Sequence, residues 1–126
     1  MANRMFNQFQ GTLEKGVVQL LAEISFGASG APTLVRGKGI ASVTRTAAGT
    51  FDVTLQDSYV ATLGVASTWK DTTAPTAVDV VLHADSVTSS STPKVTLKTY
   101  ASTTATDPAS GEKLLVQLTL SNSTAL

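Results

Sequence analysis

The sequence predicts an all-β fold: an antiparallel β-sandwich or jelly roll of about seven strands, preceded by an N-terminal arm or short helix. Three observations predict it. Apolar and polar residues alternate with period two through most of the chain, most clearly over 39–56, GIASVTRTAAGTFDVTLQ. The alternating runs recur at intervals of roughly 8 to 15 residues and are divided by Gly, Pro, Ser and Thr. No long amphipathic helix is available to layer on a sheet.

The stretch 39–56 reads as a hairpin. In its second arm Phe51, Val53 and Leu55 alternate with Thr50, Asp52, Thr54 and Gln56, and in its first Ala41 and Val43 alternate with Ser42 and Thr44. Between them Gly49 closes the turn Thr46-Ala47-Ala48-Gly49, where a short loop needs a positive φ. So few apolar side chains cannot close a core, so the hairpin must lie on other strands.

Residues 1–16, MANRMFNQFQGTLEKG, form a separate arm, and 17–126 a single β-sandwich domain. Met5, Phe6, Phe9 and Leu13 fall near helical spacing, but Gly11 and Gly16 weaken a helix. An extended arm packing on a neighbour and a short helix on the domain's own core are both open. From Val17 to Phe26 the pattern buries Val18, Leu20, Ala22, Ile24 and Phe26, and 27–39 then reads as a glycine-bearing loop. After a turn or one helical turn at Asp57-Ser58-Tyr59, Leu63, Val65 and Trp69 mark another strand. Pro75 interrupts the next loop, and Val78, Val80, Leu82 and Ala84 define a further buried face. Val95 and Leu97 follow a Ser/Thr loop, and Leu114, Val116, Leu118 and Leu120 follow a loop carrying Asp107-Pro108 and Gly111. The tail SNSTAL lies free or along a partner.

Composition narrows the function. Nine basic and nine acidic residues leave no net charge, which gives no electrostatic attraction for nucleic acid or an anionic membrane. Only 14% of residues are charged, low for a lone soluble surface and better suited to one partly covered by another protein. With no cysteine there is no disulfide, thiolate nucleophile or thiolate metal site. The opening residues lack the apolar run of a signal peptide, so synthesis and residence in a cytoplasm are expected. No apolar run reaches the ~20 residues that span a bilayer.

The chemistry-bearing residues form no set. His83, the one histidine, stands with Asp79 and Asp85 on an outward strand face, but no G-x-S-x-G elbow supplies a nucleophile and two ligands do not make a metal site. Arg36-Gly37-Lys38-Gly39 lacks the spacing of a phosphate-cradling loop; a basic loop against an acidic protein surface, or a solvated turn, is expected. Trp69, Tyr59 and Tyr100 could stack a sugar, although a Trp at an alternating position is usually core. Asp52 and Asp57 have no glycosidase features around them. No enzyme activity, cofactor or metal is expected.

MANRMFNQF, LAEISFGASGAPTL, KGIASVTRTAAGTFDVTLQDSYV and DPASGEKLLVQLTLSNS, together nearly the whole chain, resemble a family of small structural proteins of tailed bacteriophages, the capsid decoration or cement proteins of the head. G-I-A-S-V-T-R is also similar to modules of phage tail fibres. The resemblance implies a β-rich protein, made in the host cytoplasm, that adds to the outer surface of the virion shell. It also implies that the protein contacts the major capsid protein and itself, as a dimer or trimer. Met5, Phe6 and Phe9 of the arm, with Arg36 and Lys38, are the expected capsid or subunit contacts. A receptor-binding or fibre-type adhesion module is the alternative.

Overall fold

The computed structural model describes residues 16–70 and 79–122. Nine strands follow in order: β1 (Val17–Phe26), β2 (Pro32–Gly37), β3 (Ile40–Ala47), β4 (Thr50–Leu55), β5 (Ala61–Lys70), β6 (Asp79–Asp85), β7 (Lys94–Ala101), β8 (Thr104–Ala105) and β9 (Lys113–Ser121). They form two antiparallel sheets, one ordered β2-β1-β9-β5 and the other β3-β4-β7-β6, with β8 paired to β7. The expected all-β sandwich is thus what the chain adopts, with more strands than the pattern suggested. The arm with Met5, Phe6 and Phe9, the Pro75 loop, Val78 and the end of the tail lie outside the described residues.

The core is what the alternation dictates. Leu20, Ala22, Ile24 and Phe26 of β1 and Leu114, Val116, Leu118 and Leu120 of β9 face Phe51, Val53 and Leu55 of β4 and Val95 and Leu97 of β7. All are buried because each strand sits inside its sheet and offers one face to the other layer. Phe26 bridges the layers: its ring meets Phe51 edge-on at 5.1 Å and an interplanar angle of 62°, and lies 6.0 Å from Trp69.

The edges depart from expectation. The stretch read as a loop after β1 contains β2, and the Asp107 loop contains β8. Pro32 opens β2, a position where a missing N–H removes no central ladder bond. Asp57-Ser58-Tyr59 makes no helical turn. Ala41, Leu63, Leu82 and Ala84, expected inside, are exposed. For Ala41, Leu63 and Ala84 the cause is a pairing shift, between Ile40 and Ser42, between Thr62 and Gly64, and between Leu82 and Ala84. Leu82 itself lies opposite the core residue Leu97 and is 37% exposed because β6 is an edge. A bulge turns the following side chains to the opposite face. Val87, from the Ser/Thr loop, is a core residue instead.

Candidate interaction surface

The two sheets turn unlike faces to solvent. On the outer face of β3-β4-β7-β6, Asp52 accepts hydrogen bonds from Lys94 Nζ at 2.8 Å and Thr96 Oγ1 at 2.7 Å, among Thr44, Thr50 and Thr54. Burial raises the pKa of the Asp52 carboxyl, but the bonds from Lys94 and Thr96 and the nearby ammonium outweigh it, so the group stays below the usual range. The centre of this face is polar, its charges satisfied within the Asp52, Lys94 and Thr96 set, and Val81 is exposed towards its β6 edge.

The outer face of β2-β1-β9-β5 is different. Pairing aligns Leu21, Gln117 and Ala66 in one row and Glu23, Leu115 and Thr68 in the next. Leu21 is 62% exposed and Leu115 38%. Beside them the small Ala66 and Thr68 leave a shallow open groove of about 340 Å³, closed at one side by Glu23 and Arg36. Charge is confined to that side, where Glu23 is held by Arg36 Nε at 2.9 Å and by Lys113 Nζ at 3.8 Å. The Arg36 side chain is largely exposed, so this pair orders the rim and adds little stability.

Arg36 therefore does not belong to a free basic loop: it is a β2 residue paired opposite Glu23. Lys38 is exposed in the short turn to β3, and a second depression runs from Gln19 and Leu21 past Arg36 to Lys38 and Gly39. The two expected contact residues within the described chain thus border the apolar face together. The leucines were missed, yet the sequence carried their signal. Leu20-Leu21 and Leu114-Leu115 are doublets within strands, and neighbours on a strand point to opposite faces, so one leucine of each must leave the core.

The remaining candidates do not converge. Asp79, His83 and Asp85 are exposed along β6, and Asp79 lies about 13 Å from His83 along an extended strand, beyond hydrogen-bond reach. Among the described residues no group of three or more His, Cys, Asp or Glu is placed to hold a metal ion, and no helix is long and apolar enough to cross a membrane. Trp69 and Tyr59 pack on the core and form no stacking platform with Tyr100.

One polar cluster serves the fold. Asp107 accepts from Arg45 Nε at 3.0 Å, from Arg45 Nη2 at 2.8 Å and from the Gly49 N–H at 2.8 Å, tying the β3–β4 hairpin to the segment before β9. The Arg45 hydrogen bond holds the Asp107 carboxyl below the usual carboxylate range, and the Gly49 N–H and the guanidinium charge add to this against the effect of burial. Because the folded pKa values of Asp52 and Asp107 are depressed, their contribution to stability is complete above the unfolded carboxylate value and is lost as pH falls through it towards the folded values. Stability measured by urea unfolding should be level from neutral pH to about 5 and fall below it. Asp107→Asn should cost about 1–2 kcal/mol at pH 7, mainly through the weakened Gly49 bond, and flatten the acid limb. An unchanged acid limb in the variant would remove Asp107 from that role.

Fold and surface together define a class: a two-sheet antiparallel β-sandwich in which one sheet turns an apolar, grooved face to solvent. Comparison with protein-family models, with curated proteins and with solved structures finds no match to this chain.

Proposed function

We propose that this chain is a virion structural protein, a capsid decoration or cement protein that binds the outside of a tailed-phage head and stabilises contacts between major capsid protein subunits. It acts as a homodimer or homotrimer. The observation that carries the reading is the contrast between the sheet centres: exposed Leu21 and Leu115 along a groove with charge only at its rim, against the hydrogen-bonded Asp52, Lys94 and Thr96 at the centre of the other outer face. An apolar face with a charged rim at Glu23, Arg36 and Lys113 matches the core-and-rim anatomy of a protein interface. The scarcity of charge and the resemblance to phage head proteins support the same reading. Cementing requires no reaction. Modest contact area repeated over many copies resists the outward pressure of packaged DNA.

The deciding quantity is copy number in purified particles of the phage that encodes the chain, measured by quantitative mass spectrometry against the major capsid protein. One copy per shell subunit, or a simple fraction of it, is expected. Leu21→Lys with Leu115→Lys should reduce incorporation while leaving thermal unfolding unchanged, since both side chains are already exposed. A small fixed number of copies would favour the adhesion module, for which the groove has the size of a small-ligand site. Absence from the particle would overturn both.

A further inference from the structure

Each sheet has two edge strands, and three of the four are guarded. β2 carries Pro32 and Arg36 and pairs across an irregularity at Glu23 and Ile24. β3 has two such irregularities and Arg45, and β6 has one together with Asp79, His83 and Asp85. Proline, charge and bulges are the devices that stop an edge from pairing with another chain. β5 has little of this. Ala61 to Trp69 contains no charge and no proline. Its one irregularity lies near its start, between Thr62 and Gly64, and from Gly64 to Lys70 it pairs without interruption with Thr119 to Lys113 of β9.

The other side of β5 has no strand partner among the described residues. Ala66, Ser67 and Thr68 are exposed there, and alternate residues turn their N–H and C=O groups to that free edge. Among the described residues two buried side-chain polar atoms have no hydrogen bond, Thr62 Oγ1 and Trp69 Nε1, and both belong to this strand.

We propose that β5 is a dimerisation edge, which pairs antiparallel with β5 of a second copy about a two-fold axis near Ser67. The strand is self-complementary in this arrangement. Ala66 meets the partner subunit's Thr68, Val65 meets the partner subunit's Trp69, and Lys70 falls opposite the partner subunit's Gly64, so no like charges face each other. The axis stands perpendicular to the sheet and keeps outer face with outer face. The two apolar grooves of Leu21, Ala66, Thr68 and Leu115 then become one continuous surface across an eight-stranded sheet. The pairing needs no virion, so it stands or falls separately from the capsid reading.

The test is sedimentation of the full chain over a range of concentration, with hydrogen exchange on the same samples. A species of twice the 13.0 kDa chain should form, and protection of the amides from Val65 to Trp69 should rise with it. Ala66→Lys with Thr68→Lys places like charges opposite one another and should weaken the dimer at least tenfold. Ala66→Glu with Thr68→Glu should do the same, and mixing the two variants should restore a heterodimer visible by native mass spectrometry, which misfolded chains would not form. A chain that remains monomeric, or β5 protection independent of concentration, overturns the proposal. So does a dimer that survives the lysine changes, or one lost with Phe6→Ser and Phe9→Ser while the lysine pair retains it.

Discussion

Gly49→Ala should destabilise the protein by about 3–5 kcal/mol, seen as a fall of the thermal midpoint of roughly 10–25 °C. Two costs add. Gly49 holds φ at +65°, where an alanine loses about 1–2 kcal/mol. A Cβ there would also stand 2.7 Å from the Thr106 backbone nitrogen and 2.8 Å from the Thr99 carbonyl oxygen, main-chain atoms that cannot rotate aside. Relief requires the hairpin and the 104–107 segment to part. That strains the Thr99 N–H bond to Gly49 O, the Thr106 N–H bond to Thr99 O and the Gly49 N–H bond to Asp107 together. Gly111→Ala is the internal control: its φ is +94°, but a Cβ would meet nothing within 4 Å, so only the conformational cost of about 1–2 kcal/mol applies. Equal losses at the two positions would show that the crowding at Gly49 relaxes freely.

Phe26→Ala should cost about 3–5 kcal/mol in urea unfolding. The ring is 2% exposed and joins the sheets by touching Phe51 from one layer and Trp69 from its own. Its removal deletes transfer energy, leaves a cavity between close-packed strands and abolishes two aromatic contacts. The main chain should hold, because the Phe26 N–H donates to Glu112 O and the Phe26 carbonyl accepts from the Gly111 N–H. The variant therefore remains a folded but weaker sandwich. Trp69 is the sole tryptophan, so its emission should shift to the red as its packing loosens. Phe26→Leu, which refills most of the space, should lose only about 1–2 kcal/mol. A loss below about 1 kcal/mol for the alanine variant would mean that the neighbouring rings close the space.

What could be read before the fold was seen follows the position of each strand in its sheet. β1, β4, β7 and β9 are interior, with one face on the core along their length, so their period-two patterns predicted the buried residues almost individually. β3, β5 and β6 are edges, where bulges break the alternation that reading depends on, and Ala41, Leu63 and Ala84 were placed on the wrong face for that reason, while Leu82 keeps the core face but is left partly uncovered at the sheet edge. β2 was taken for a loop because Pro32, Gly37 and Gly39 are turn residues in isolation. The Asp107 cluster brings together positions 62 residues apart in sequence, and no local spacing announces such a contact. Arg36 and Lys38 were chosen for their charge, whereas the more telling residues beside them, Leu21 and Leu115, were hidden within runs already assigned to the core.

The placement of β1 against β9 also governs the order of events during synthesis. Val17 pairs with Ser121, so the centre of one sheet is made from the first and last strands of the described residues. Its partner sheet is drawn entirely from Ile40 to Ala105 and is available earlier. While the ribosome is still at work, β1 and β5 wait on opposite sides of a gap that only β9 can fill, and distant pairings of this kind are slow to close. A chain that stops short of its last strand cannot assemble the grooved sheet. The grooved face therefore comes into being only when β9 is added between β1 and β5.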